Sequence, residues 1–529
     1  MLKSSGAMAA ATLASRLLGM VREMVYARFM GTTWVASAFL LAFQIPNLFR
    51  RLLGEGALTA AFIPIFKEKE KVHGENEMWR ASNAVISALM VFTCVVVVVG
   101  MVIVTVALAF GGHVDNDVTR FTGKTLLMLR LLRWMLPYLV LVCLAAVFMG
   151  ILNARGHFFI PAMGATMLNV VMIASVIWLA PRLGLQYPKG ERLPHQIYAL
   201  AIGVLAAGAA QAAFQMPTLW RDGFRYHWIP PWRDETVQRV IKQMLPATIG
   251  VAAFQINVVL TQGLSYWVDD YIVASFQYAV RLMELPQGLF GISLATYLLP
   301  TLSGLAAEKN YDGFRAELRQ GIGYLVFTNL LASALLVVLA EPIIRLLFER
   351  GKFDATSTAQ ATLALECLAP GLVAFSVVNI LARAFYAVGD TRTPMKISAF
   401  CLTLNLLLAV SLVWRFKQGG LGAANTVTSL VNVALLTYAL RRKLKTLDMA
   451  SLRTTIIVLI FLAVIAGAVA FAGWRFWEQK LGHGTLALKI GAVFVPAAIA
   501  GIFYWLIALV LKISAAKEMM EFALARFKR

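Results

Sequence analysis

Arginines stand inside or at the edges of long apolar stretches, at positions where their chemistry suits an anion. Arg16 and Arg22 lie in ASRLLGMVRE, Arg50 and Arg51 close IPNLFRR, and Arg281 opens RLMELP. A charge at the centre of a bilayer costs on the order of 3 kcal/mol by insertion scales, so such residues normally face a bundle interior or water. Guanidinium groups stay ionised in poor solvent and hold phosphate oxygens through paired hydrogen bonds. The nearby acids Glu23, Glu55 and Glu284 are fewer than the arginines, so the expected ligand is an anion, a phosphate or diphosphate. An arginine near a helix end can instead snorkel or pair locally. That reading suits Arg130 and Arg133, near the start of the fourth apolar segment, and Arg383 is another weak member of the set; it accounts poorly for the other five arginines together.

Helical spacing decides which of these groups share a face. Arg16 and Glu23 are seven apart and coincide, Arg22 lies to one side, and Gly19 between them is a candidate bend. In the second apolar segment Ser37, Gln44, Asn47, Arg51 and Glu55 form one stripe with Arg50 beside it. Pro46 removes a backbone donor there and is expected to kink the helix, which leaves the phase of Arg50 against Arg51 open. Thr248, Gln255 and Gln262 recur every seven residues in the seventh segment, and Gln277, Arg281 and Glu284 line up in the eighth, just before Pro286. Asn47, Gln255 and Glu284 therefore join the five arginines as candidate binding residues, with Gly19, Pro46 and Pro286 as candidate hinges.

The elements that must position these groups follow from composition. The chain has 529 residues, 60% hydrophobic and 14% charged, against about a quarter charged in soluble proteins. Its apolar runs are too long and too little alternating for barrel strands, so they predict an all-α integral membrane protein. About fourteen transmembrane helices are expected, over 7–30, 33–54, 80–110, 124–153, 158–181, 195–220, 237–266, 271–303, 314–341, 356–388, 393–416, 420–443, 452–476 and 486–511. Net charge is +21, but the lysines and arginines concentrate in alternate loops, as the positive-inside rule requires of a chain with both termini cytoplasmic. Nucleic acid is not needed to explain them. Arg16 and Arg22 interrupt the first apolar segment, and a convincing cleavage site is lacking, so it reads as a retained helix rather than a signal peptide. Cys94, Cys143, Cys367 and Cys401 all lie in apolar runs without metal spacing and read as small core residues. The six histidines lie in or near loops, again without metal spacing, and P-loop, HExxH and GxSxG motifs are absent. No catalytic residue, metal or cofactor is expected.

The first half recurs weakly in the second. VASAFLLAFQIPNLF from Val35 is echoed by VASFQYAVRLMELPQGLF from Val273, and Arg155 before Pro161 by Arg392 before Pro394, at an offset of roughly 235 residues or six helices. Six is even, so the halves share one orientation, related by a pseudo-two-fold axis along the membrane normal. The expected organisation is a six-helix lobe over 1–225, a second over 226–446, and two additional helices with a cytoplasmic tail over 447–529. Helices 1, 2, 7 and 8 then offer polar faces to one central space.

SRLLGMVRE, IPNLFRRLLGEGALTAAFIPIF from Ile45 and RLMELPQGLFGISLATYLLP from Arg281 together resemble the MurJ/MviN family of lipid II flippases, within the MOP exporter superfamily. The resemblance covers nearly the whole chain. It implies transfer of the undecaprenyl-diphosphate-linked disaccharide-pentapeptide from the cytoplasmic to the periplasmic leaflet of the bacterial inner membrane, for peptidoglycan synthesis. It implies alternating access between two lobes, with a groove at helices 13 and 14 for the lipid tail. By motif, the family's functional arginines fall on Arg16, Arg22, Arg50 and Arg281, whereas the helical stripe selects Arg51. Ser37 and Val280 stand where many relatives carry Asp. Some members bind sodium through an Asn and an Asp one turn apart; here Asn379 is followed by Arg383, which speaks against a sodium site and leaves ion or membrane-potential coupling open. Expected partners are lipid II and membrane lipids, with cell-wall synthesis proteins as candidates, for a chain acting as a monomer. The rival readings are a related exporter of another polyprenyl-diphosphate-linked saccharide, a multidrug antiporter, which should show acids and aromatics rather than excess arginine, and a membrane-embedded polyprenyl-diphosphate transferase, which needs an acid cluster or catalytic base.

Overall fold

A computed structural model describes residues 2–54, 57–111, 114–115, 118–119, 123–444 and 450–527; Glu55 lies outside them. The chain divides into two compact units, Met1–Tyr266 and Trp267–Arg529.

The first unit holds α1 (Leu2–Met30), α2 (Trp34–Phe49), a π-helical turn (Arg50–Gly54), α3 (Ala57–His73) and α4 (Glu75–Gly111). A minimal antiparallel hairpin, β1 (Val114–Asp115) with β2 (Val118–Thr119), pairs Val114 with Thr119. Next come α5 (Gly123–Met135), α6 (Tyr138–Ala154), α7 (Phe159–Ala174), a second π-turn (Ser175–Leu179), α8 (Ala180–Leu183), α9 (Arg192–Gln196), α10 (Tyr198–Arg221) and α11 (Glu235–Val268). Gly31, at φ 56°, ends α1, and the Thr33 hydroxyl accepts from Ala36 N at 3.3 Å to start α2, as an N-cap should. An aromatic file ties the helices together: Tyr26 meets Phe39 edge-on, Phe39 stacks on Phe43, and Phe43 meets Tyr138. Two contacts anchor α11: Arg239 forks onto Glu68 of α3 at 2.7 and 2.8 Å, and the Tyr266 hydroxyl donates to Lys124 O at 2.7 Å.

The second unit holds α12 (Ile272–Pro286), a π-turn (Gln287–Ile292), α13 (Ser293–Ala307), α14 (Tyr311–Val338), α15 (Ala340–Phe348), α16 (Ala355–Leu368), α17 (Leu372–Ala387), α18 (Arg392–Lys443), α19 (Ala450–Lys480), α20 (Leu486–Val510) and α21 (Ser514–Phe527). α18 is broken at Lys417, whose φ is 49°, so the two expected segments it contains remain separate helices. Its core joins α13, α14 and α17 to α19 and α20, with Phe314, Leu325, Phe385 and Ala466 fully buried. The Tyr504 hydroxyl reaches Phe327 O at 2.9 Å within that core. The helices expected at the C-terminal end thus pack into this unit.

Each expected segment is helical, and among the described residues nine helices are long and apolar enough to cross a membrane, or ten if the pair α5 and α6, bent by 44°, counts as one span. Their outward faces are apolar, as lipid requires: Val98, Val102 and Ile103 of α4 are all more than half exposed. Cys94 lies exposed on α4, not in the core as expected, while Cys143 and Cys401 are buried. A face that meets hydrocarbon accepts a thiol as readily as a packed interior does.

Two local patterns recur in both units. Pro46 and Pro286 each precede a π-turn, after which a further helix carries a proline of its own, Pro64 in α3 and Pro300 in α13. A proline withdraws one donor from the ladder, and a widened turn lets the remaining donors re-pair. The second pattern lies at the turns before α7 and α18, where Gly156 and Gly389 take φ of 88° and 74°. The next residue then clasps the far end of a following helix, His157 to Asp222 at 3.1 Å and Asp390 to Lys443 at 2.7 Å. The Lys443 ammonium, aided by Thr393, holds the Asp390 carboxyl well below the usual carboxylate range.

Candidate functional site

The predicted arginines do not stand bare; most meet an acceptor on their own helix. On α1, Arg22 Nη2 donates to Glu23 Oε1 at 2.6 Å, and the guanidinium lies 5.5 Å from the centroid of the Tyr26 ring. The pair is well shielded, with 15% of the Arg22 side chain and 6% of Glu23 exposed. Arg22 Nε is buried without a hydrogen-bond partner among the described residues. A buried donor left open in this way costs about 1–3 kcal/mol unless something accepts from it.

Arg50 begins the π-turn after α2, and its Nε donates to Asn47 Oδ1 at 2.9 Å. The regular helical stripe favours Arg51, four residues after Asn47; Arg50, three residues after it, reaches the buried Asn47 side chain across regular helix. Ser37 is fully buried on the same helix.

Arg16 is exposed and forms no ion pair among the described residues. The acid expected to share its face, Glu23, is taken by Arg22. α1 runs unbroken through Gly19. On α11 Gln255 is buried, with its Oε1 unpartnered among the described residues; Thr248 bonds back to Met244 O at 3.0 Å.

In the second unit, Arg281 Nη1 donates to Glu284 Oε2 at 2.8 Å on α12, one turn before Pro286 and the π-turn. Arg383, a weak member of the expected set, has two acceptors in this unit. Its Nη1 reaches from α17 to Thr296 Oγ1 at 2.8 Å and Ile292 O at 3.4 Å, at the end of the π-turn. Asn379 bonds back to Phe375 O at 2.9 Å.

A predominantly helical chain with long apolar helices, proline-linked π-turns and half-buried arginines defines a multi-pass membrane fold, and solved structures share that fold. A structure described as a lipid II flippase MurJ in an inward closed conformation matches with TM-score 0.74 at 21% identity, over 95% of this chain and 99% of that one. An inward-facing multidrug resistance MATE family transporter of the MOP superfamily matches with TM-score 0.63 at 14% identity, over 82% and 95%. At such identities the likeness concerns the fold. Sequence is more specific: the family model described as lipid II flippase MurJ matches residues 26–491. A probable lipid II flippase MurJ of Vibrio cholerae is 32% identical over 442 residues, 82% of each chain. A lipid II flippase MurJ of Burkholderia cenocepacia is 32% identical over 439 residues, again 82% of each. The chain belongs to the lipid II flippase MurJ family, a family of transporters rather than enzymes.

Proposed function

We propose that this protein carries lipid II from the cytoplasmic to the periplasmic leaflet of the bacterial inner membrane, by alternating access, with the diphosphate held by Arg22, Arg50 and Arg281. The family match over residues 26–491 supports the cargo. The observation that most favours the arginine clamp is the buried, unpartnered Nε of Arg22, a donor suited to a phosphate oxygen.

The acceptors beside the arginines suggest how cargo is exchanged. Glu23, Asn47 and Glu284 each accept from one arginine on the same helix. A diphosphate entering the site replaces these acceptors, and on departure they take the guanidinium groups back. Neither step leaves a bare cation in a poor solvent, which would cost several kcal/mol. Binding is kept moderate for the same reason, and cargo held too tightly would not leave. The π-turns after Pro46 and Pro286 lie next to Arg50 and Arg281, where a change of helix direction would alter the clamp's geometry. Gly19 has a lesser role, as α1 is continuous there.

The test is rescue of a bacterium depleted of its own lipid II flippase. The wild-type chain should restore growth, and Arg22→Ala, Arg50→Ala and Arg281→Ala should fail at normal expression. Rescue by all three variants would overturn the clamp, and failure of the wild-type chain would overturn the cargo.

A further inference from the structure

A second cluster of arginines lies on a different helix, α5. Arg130 and Arg133, one turn apart on α5, line a cavity of about 300 Å³ with Leu126 and Trp134 of the same helix, Leu108 of α4 and Tyr198 at the start of α10. Both arginines are exposed, and among the described residues no acid pairs with either. Tyr198 lines the same cavity as both arginines.

We infer that Arg130, Arg133 and Tyr198 form a second phosphate site, for the phosphate of a lipid headgroup. Snorkelling alone would send the two guanidinium groups outward into water. Here both, though exposed, line one concave space together with Tyr198, whose hydroxyl is a further donor. Like charges one turn apart repel unless an anion lies between them, and a phosphate accepts from both forks and from the tyrosine. The rest of the lining suits a lipid: Leu108 and Leu126 are apolar, and Trp134, 49% exposed, is the side chain that favours the level of headgroups. Basic recesses between membrane helices bind anionic headgroups by this chemistry. The site's place in transport rests on the proposed function: with both termini cytoplasmic, α5 starts on the periplasmic side, so the cavity lies in the leaflet where the cargo arrives. Two sources could fill it, a phospholipid of that leaflet or the diphosphate end of the cargo.

The experiment measures binding to the purified full chain in detergent, which does not depend on whether the chain flips anything. Its probes are phosphatidylglycerol, undecaprenyl diphosphate, inorganic phosphate and, as a phosphate-free control, diacylglycerol. R130Q/R133Q should weaken at least one phosphate-bearing lipid by about tenfold and Y198F by about threefold. R441Q/R442Q, which removes the same charge from the last turn of α18, should leave binding unchanged, as should diacylglycerol in every variant. Loss confined to phosphatidylglycerol assigns the site to bulk lipid, loss confined to undecaprenyl diphosphate assigns it to the cargo, and equal loss of inorganic phosphate assigns a site that reads the phosphate without its chains. Binding within twofold of wild type in R130Q/R133Q for all probes overturns the site, as does an equal loss in R441Q/R442Q. If R130Q/R133Q does not fold, Y198F and R130K decide: unchanged binding of both lipids in both variants overturns it.

Discussion

Replacing Glu23 by glutamine should make the transporter bind its cargo more tightly and turn over more slowly. Arg22 Nη2 lies 2.6 Å from Glu23 Oε1 in a pair that is 15% and 6% exposed. Opposite charges about 4 Å apart attract by about 4 kcal/mol at an effective dielectric constant of about 20, much of it offset by desolvation. The net difference between a charge-assisted and a neutral hydrogen bond is smaller, about 1–1.5 kcal/mol. Glu23→Gln keeps the shape and the acceptor but gives up that difference, so a phosphate displaces the amide more easily than the carboxylate. Removing a negative charge beside the phosphate acts in the same direction. Affinity for undecaprenyl diphosphate, measured by titration of the purified chain, should rise about tenfold, and the translocation rate in vesicles should fall as release slows. Unchanged or weaker binding in a folded Glu23→Gln variant would refute the acceptor exchange.

Two further outcomes follow from the packing and the clasps. Asp390→Asn should lower thermal stability at pH 7 by up to about 1 kcal/mol, the scale of a partly exposed ion pair, since asparagine keeps the bond to Thr393 N. Because the Asp390 carboxyl is held below its ordinary value, its contribution is complete above about pH 4, the unfolded range, and fades as pH falls through the depressed folded value. Thermal melts of wild type and Asp390→Asn should therefore differ at pH 7 and converge on acidification, and a constant gap across pH would contradict the clasp. Gly208→Val should cost about 1–3 kcal/mol by overpacking, since even a Cβ there would meet Tyr138 at 2.8 Å and Leu141 at 3.0 Å. A thermal midpoint equal to wild type in detergent would show that α6 and α10 do not approach as closely as described.

The long apolar runs made the helical class legible, and the arginine motifs carried the family. Less legible were the places where a regular helical wheel fails. Spacing left the phase of Arg50 against Arg51 open, because residues three and four after Asn47 both lie near it on a helix; the bond from Arg50 to Asn47 appears only in the packed side chains. α3 was not expected as an element, because its apolar part is short and runs into the charged FKEKEKVH. Its counterpart α13 was hidden for the opposite reason, merged by uniform apolarity into the segment expected over 271–303. Spacing placed Arg16 beside Glu23, yet adjacent Arg22 takes the acid, since a long guanidinium side chain can fold back on its neighbour as easily as one seven residues away. The partner of Arg383 required a contact across 87 residues, which no local pattern encodes. The same holds for the recess around Arg130 and Arg133, where the contribution of Tyr198 arises only from the packing of α10.

The arginine clamp is tested by the leaflet-to-leaflet movement of fluorescent lipid II in vesicles containing the purified chain, compared among wild type, Arg22→Ala, Arg50→Ala and Arg281→Ala. The wild-type chain should move the lipid, and each variant should do so at a rate at least tenfold lower, about 1.4 kcal/mol or more of lost stabilisation apiece, with inserted protein and thermal midpoint unchanged. Wild-type rates in all three variants would contradict it.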